Sequence, residues 1–144
     1  MDEIVLSGGN MTPVVRVGDT VRRAAGPWTP TIHALLRHVR AAGFDEGICL
    51  VSSTHTTAAV TINEDFDRDV PKDLAAACRA FLEKLDVSFD HMEGNSDSHF
   101  LTSLFGQSQT LLVRGGELDL GRWQGAFLAE FDGPRQRTVR VAVF

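Results

Sequence analysis

Apolar and polar positions alternate along this chain with two different periods. From Val14 to Val21 the apolar residues Val14, Val15, Val17 and Val21 flank Gly18-Asp19, which predicts a hairpin over about residues 12–24. After the break at Gly26-Pro27 the period changes. Thr29 is a candidate N-cap with Pro30 at the first helical position, and Ile32, Leu35, Leu36 and Val39 fall on one helical stripe that Gly43 can close. Residues 47–53 then read as a buried strand and 58–63 as another. Val70, Leu74, Ala77, Cys78, Phe81, Leu82 and Leu85 return to helical spacing, with Pro71 near the start, predicting a helix over 70–85.

Residues 86–97 are acidic and irregular. A short helix is predicted from Ser98 to Phe105, ended by Gly106. The last third is strand-like. Leu111-Leu112-Val113 runs into a Gly115-Gly116 turn, Trp123–Phe131 forms the next apolar run, and Val139, Val141 and Val143 alternate strictly. Helices and strands are mixed without a regular βαβ repeat, so the expected class is α+β with a mainly antiparallel sheet.

Composition narrows the picture. A chain of 144 residues with 43% hydrophobic content is sized for one domain with a real core, and residues 1–144 are expected to form one. The net charge of −5 argues against a general nucleic-acid binder. No apolar run approaches the roughly 20 residues of a membrane span, and the N-terminus has no secretory pattern. The two cysteines, Cys49 and Cys78, lack paired-motif spacing and read as reduced core residues of a cytoplasmic protein.

Three regions concentrate polar chemistry between apolar segments. Thr54-His55-Thr56-Thr57 lies at a strand junction and is followed by Asn63-Glu64. His91 and His99 bracket Glu93, Asn95 and Asp97 in a loop with few apolar residues. Trp123-Gln124-Gly125 is followed by Glu130, Arg135 and Arg137. Imidazoles and carboxylates in one loop are a usual ligand set for a divalent ion, although a solvated acidic loop with two surface histidines has the same composition. His55 reads either as a satisfied, partly buried histidine or as a third ligand or general base. Glu64 reads as a turn carboxylate or a base, Trp123 as core or binding platform, and Arg135 and Arg137 as solvated charges or a phosphate clamp. His33 and His38 fall on the polar side of the first predicted helix. The glycine-rich stretch Ser7–Thr12 lacks both the lysine-bearing phosphate-loop pattern and the spaced glycines of a dinucleotide loop.

Four motifs taken together carry more than any one of them. His55-Thr-Thr-Ala-Ala-Val-Thr-Ile-Asn-Glu64, Glu93-Gly-Asn-Ser-Asp-Ser-His99, Gly121-Arg-Trp-Gln-Gly125 and Glu130-Phe-Asp-Gly-Pro-Arg135 occur in the order and spacing of the YjbQ-like (secondary thiamine-phosphate synthase) family, which the chain resembles over about residues 44–144. The resemblance implies an α+β fold that is mainly an antiparallel β-sandwich with two or three helices. It implies a homotrimer and a small metal-site enzyme acting on phosphorylated small molecules, with a thiamine-phosphate synthase side activity. The alternative is a non-enzymatic trimeric module that binds a small phosphorylated ligand. In this reading His55, His91 and His99 are the metal ligands, for a divalent ion such as zinc or magnesium. Glu64, Glu93 and Asn63 are catalytic, and Asn95, Trp123, Gln124, Glu130 and Arg135 bind substrate. No nucleic acid and no membrane is expected as a partner.

The N-terminal part departs from this pattern. Residues 1–43, with Leu6-Ser-Gly-Gly-Asn-Met-Thr-Pro-Val-Val-Arg-Val-Gly-Asp-Thr-Val-Arg-Arg23 and Gly26-Pro-Trp-Thr-Pro30, resemble the opening of an aminoglycoside-phosphotransferase-like kinase lobe. No kinase catalytic loop follows, so the expectation is a chimeric chain joined near residues 43–47 and without kinase activity.

Overall fold

The computed structural model describes residues 45–144 in full, the single positions 37, 41 and 43, and the backbone of three strands before residue 23. The helix expected between Pro30 and Gly43, with His33 and His38, lies outside the described residues.

The three early strands are β1 (Glu3–Leu6), β2 (Val14–Val17) and β3 (Thr20–Arg22), paired antiparallel in the order β1-β2-β3. The predicted hairpin is β2–β3, with Val17 opposite Thr20 across Gly18-Asp19. Strand β1 was not expected. Its apolar run, Ile4-Val5-Leu6, is too short to show a period, and pairing with β2 is what makes it a strand.

The remaining strands are β4 (Glu46–Ser53), β5 (Ala58–Glu64), β6 (Ser108–Arg114), β7 (Glu117–Leu118), β8 (Gln124–Glu130) and β9 (Val139–Val143). They form a four-stranded antiparallel sheet, β7-β6-β4-β9, and a two-stranded ribbon, β5-β8. Strand alternation decides the faces. On β4, Cys49, Val51 and Ser53 are buried while Ile48, Leu50 and Ser52 face outward. Cys49, Val51 and Val113 of the sheet, Val60 of the ribbon and Leu118 form the buried core, with Ala126, Val139, Val141 and Val143 packed against it. Ribbon on sheet is the expected antiparallel sandwich, and the class is α+β.

Two helices are described: α1 (Asp69–Lys84) and α2 (Ser96–Phe105). Pro71 sits in the first turn of α1, where its missing N–H costs no intrahelical bond. Helix α2 buries Ser98, Leu101 and Thr102 and packs on β5. Gly106 ends it at φ 85°, and the Gly106 carbonyl accepts from the Val60 amide at 3.2 Å. Between β6 and β7, Gly115 and Gly116 have φ of 56° and 73°, the pair of positive angles that a tight two-residue hairpin turn requires.

Helix α1 buries none of its residues. Cys78 is therefore only partly buried, unlike Cys49, which is 0% exposed. The reading of Cys78 as a core residue is corrected: it lies on the inner stripe of a helix that stands off its neighbours. Among the described residues, no helix is long and apolar enough to cross a membrane.

Candidate functional site

At one end of the β5–β8 ribbon, three polar segments meet: residues 54–57, 95–99 and 130–138. Backbone bonds hold them together. Phe131 N donates to Thr57 O at 3.2 Å, and Thr54 donates to Thr138 O through both its amide and its hydroxyl, each at 3.2 Å. Ser98, 3% exposed, donates its hydroxyl to Phe131 O at 2.7 Å and so ties the start of α2 to the same loop.

Two ion pairs stand inside this junction. The Arg137 guanidinium, 7% exposed, binds both carboxylate oxygens of Glu130 and donates to Thr57 Oγ1 at 2.9 Å. The hydrogen bonds from Arg137 hold the Glu130 carboxyl below the usual carboxylate range, and the same contact pushes Arg137 upward. Glu130 Oε1 also accepts from Asp132 N at 2.9 Å. Asp132 takes a hydrogen bond from Asn95 Nδ2 at 2.8 Å and lies 3.1 Å from Arg135, whose Nε donates to Asp132 O at 2.7 Å. The Asn95 bond, followed by the charge of Arg135, holds Asp132 below its ordinary value. The loop carries a cis Gly133–Pro134 bond. A Cβ on Gly133 would lie 2.4 Å from Glu130 Cγ, so glycine is what lets the loop close over that side chain. Asn95 Oδ1 is buried and has no hydrogen-bond partner among the described residues.

His55 belongs to this end. Its Nε2 accepts from Thr138 N at 2.7 Å, and its carbonyl accepts from Gln107 Nε2 at 3.2 Å. An imidazole nitrogen that accepts from an amide leaves the proton of the neutral ring on Nδ1, so in this arrangement His55 offers an N–H donor. His91 and His99 come together elsewhere in the 91–99 segment, with ring centroids 5.4 Å apart and planes at 67°. Glu93 Oε2 is 4.0 Å from His91 Nε2. Among the described residues of the chain, no group of three His, Cys, Asp or Glu is placed to hold a metal ion. The structure thus pairs His91 with His99 and gives His55 a different partner.

The other expected site residues lie at the opposite end of the ribbon. Glu64 pairs with Gln124 and Asn63 with Gly125, while Ala58 pairs with Glu130. Six residue steps separate the two ends, roughly 20 Å of strand. At this far end Asn63 Oδ1 accepts from Glu64 N at 2.8 Å, and Gln124 Oε1 accepts from Gly121 N at 2.8 Å. Trp123, 40% exposed, stands edge-on to Phe66 at 4.5 Å with Arg122 5.0 Å from its ring centre. Gly125 is held by a close approach, since a Cβ there would lie 2.4 Å from that of buried Asp65.

Thr57, Ser98 and Asp132 were not singled out from the sequence. Asp132 is inside a quoted motif, between Glu130 and Arg135, and that adjacency was its one sequence signal. Ser98 likewise lies inside the quoted Glu93–His99 motif, but its partner is a carbonyl 33 residues away, which the motif does not reveal.

Comparison with known proteins agrees with this architecture. The family model described as UPF0047 protein YjbQ-like matches residues 20–144. UPF0047 protein YugU of Bacillus subtilis is 39% identical over 134 residues, covering 91% of this chain and 97% of its own. UPF0047 protein MJ1081 of Methanocaldococcus jannaschii is 45% identical over 98 residues, 68% of this chain and 70% of its own. A crystal structure of a YjbQ/UPF0047 family protein from Clostridium acetobutylicum superposes with a TM-score of 0.75 at 33% identity, covering 100% of both chains. The kinase-lobe reading of residues 1–43 is not supported by the same findings. The family match begins at residue 20, well before the junction expected near 43–47, and the structural match runs through the whole chain. With that match, those relatives and the sandwich of sheet and ribbon described above, the chain belongs to the YjbQ-like UPF0047 family.

Proposed function

We propose that this protein is a small metal-site enzyme acting on phosphorylated small molecules, working at the end of the ribbon where the 91–99 and 130–138 segments approach. The observation that carries the reading is the His91–His99 pair. Two imidazoles bound to one tetrahedral ion at about 2.0–2.1 Å from each nitrogen put their ring centroids roughly 5 Å apart, and the pair stands at 5.4 Å. Imidazole suits zinc above magnesium, so zinc is the ion this reading names. His91 and His99 would hold the ion, and Glu93, exposed and 4.0 Å from His91, is the nearest side chain that can swing in as a third donor. A bound ion would supply charge neutralisation for phosphate oxygens.

The chain's own groups have separable tasks. Glu130, Arg137 and Thr57 set the loop. Arg135, more than half exposed, directs a guanidinium outward to phosphate oxygens while Asp132 anchors it. Asn95 donates to Asp132 and so holds the substrate-facing loop that carries Arg135. His55 donates through Nδ1 and is held in that tautomer by Thr138. Asn63 lines a cleft that also reaches Asp97 and Glu130, whereas Glu64, Trp123 and Gln124 act at this site only if a second copy brings its far end to it, which the homotrimer we include in this proposal would allow. Thiamine-phosphate formation is one reaction within the class. A non-enzymatic phosphate-binding module uses the same anion donors and differs by lacking turnover.

The test is zinc binding by calorimetry on chelator-treated protein, followed by turnover assays on phosphorylated substrates. The expected result is one ion per chain in the wild type and none in His91→Ala or His99→Ala, with circular dichroism unchanged in both. Wild-type protein that binds no zinc, or variants that bind it as well, would remove the metal site.

A further inference from the structure

Beneath α1 lies a cleft of about 420 Å³, within the range of small-molecule pockets. Its helix wall is Leu74, Cys78 and Leu82, one residue per turn on one stripe. The facing wall is Phe127, Ala129 and Phe131, which share the outer face of β8 and its extension. Leu101 and Phe105 of α2 close one side. The helix stripe has the pattern of a core-facing helix, yet none of its residues is buried. Among the described residues, the space it faces is left open and its apolar stripe is only partly covered.

Two features say what belongs there. First, the cleft is continuous with the polar junction: Glu130, Asp97 and Phe131 border both. Second, its rim carries Arg79, an exposed guanidinium with no ion pair among the described residues. Glu130 is neutralised by Arg137, so among the described lining residues Arg79 is the cation that remains available.

We infer that the substrate is an anionic amphiphile, with an apolar chain or ring lodged between α1 and the β8 face and a phosphate or carboxylate reaching the rim at Arg79. This names the substrate class of the site proposed above and rests on that reading for its polar end. Burial of the apolar body completes the α1 interface that the described residues leave open. The same arrangement predicts that ligand binding tightens α1 against the ribbon.

Cys78 provides the readout. It lines the cleft and is partly exposed, whereas Cys49 is 0% exposed, so a thiol reagent reports on Cys78. The rate of Cys78 modification is measured with octyl phosphate, octanol or inorganic phosphate present. Octyl phosphate is expected to slow the reaction at least roughly fivefold at saturation, octanol to do so only at higher concentration, and inorganic phosphate not at all. Arg79→Gln should weaken octyl phosphate about tenfold and leave octanol unchanged, as loss of one charge-assisted hydrogen bond requires. Ala75→Trp, which fills the cleft from an exposed lining position, should abolish protection while the protein melts as the wild type does. Three results would overturn the inference: no protection by octyl phosphate, equal protection in Ala75→Trp, or a Cys78 already unreactive in ligand-free protein because a second copy fills the cleft. Zinc binding at His91 and His99 is measured on the same samples. Protection without zinc binding sinks the metal reading and keeps the cleft, and zinc binding without protection does the reverse.

Discussion

Replacing Arg137 by Met tests whether the Glu130–Arg137–Thr57 contact organises the functional end of the molecule. Arg137 is 7% exposed and Glu130 27%, so the pair lies between a surface ion pair, worth about 0–1 kcal/mol, and a buried one, whose breaking costs about 3–5 kcal/mol. Methionine fills much of the volume but removes two hydrogen bonds to a carboxylate and one to Thr57 Oγ1. Hydrogen bonds to charged groups contribute about 1.5–3 kcal/mol, and the remaining exposure of Glu130 lets water recover part of that. The expected loss at pH 7 is about 2–3 kcal/mol, or roughly 8 °C in Tm for a chain of this size. The pH dependence gives a second reading. Arg137 depresses the Glu130 pKa in the folded state, so the stabilisation is complete above the unfolded carboxyl value of about 4.3 and is lost as pH falls through the lower folded value. The gap between wild type and variant should therefore narrow on going from pH 7 to about pH 3. Asp132 is depressed in the same direction, first by Asn95 and then by Arg135, with a smaller contribution from the Arg137 charge, so the difference between the two proteins reports chiefly Glu130. Urea unfolding followed by circular dichroism, at one protein concentration and both pH values, measures it. A loss under about 0.5 kcal/mol at pH 7, or a gap that does not shrink in acid, would refute this account.

Two further outcomes are expected. Gly125→Ala should destabilise by about 1–3 kcal/mol in the same urea assay, because its Cβ would lie 2.4 Å from that of Asp65, which is buried and tied through its amide to Trp123 O at 2.8 Å. A wild-type melt in that variant would mean the β5–β8 end has slack. The outer face of the four-stranded sheet exposes Ile48 at 44%, Leu112 at 51% and Phe144 at 69%, an apolar patch suited to a subunit contact. Light scattering should show a trimer for the wild type and smaller species for Leu112→Glu, and a monomeric wild type at micromolar concentration would rule out the trimer.

Much of the fold was legible in the sequence because the signals that made it so are local. The stripe Leu74, Cys78, Leu82 is a helix period, Val139, Val141 and Val143 are a strand period, and Gly115-Gly116 can supply two positive φ angles in succession; helix, strand and turn follow there. The closeness of His91 and His99 was legible for the same reason, since a short segment containing the first turn of α2 separates them. What the sequence could not determine is which motif meets which. Glu64 and Glu130 sit in similar strand-end motifs, yet the antiparallel register of β5 and β8 carries them to opposite ends of a ribbon. Arg137 meets Thr57 across 80 residues and Ser98 meets Phe131 across 33. Such partners are selected by strand pairing and loop closure, and residue type alone does not reveal them. Cys78 shows the limit from the other side. Its spacing marks it as inward-facing, but whether the inward face meets packed side chains or an open cleft depends on how far α1 stands from the ribbon, which only the tertiary structure decides.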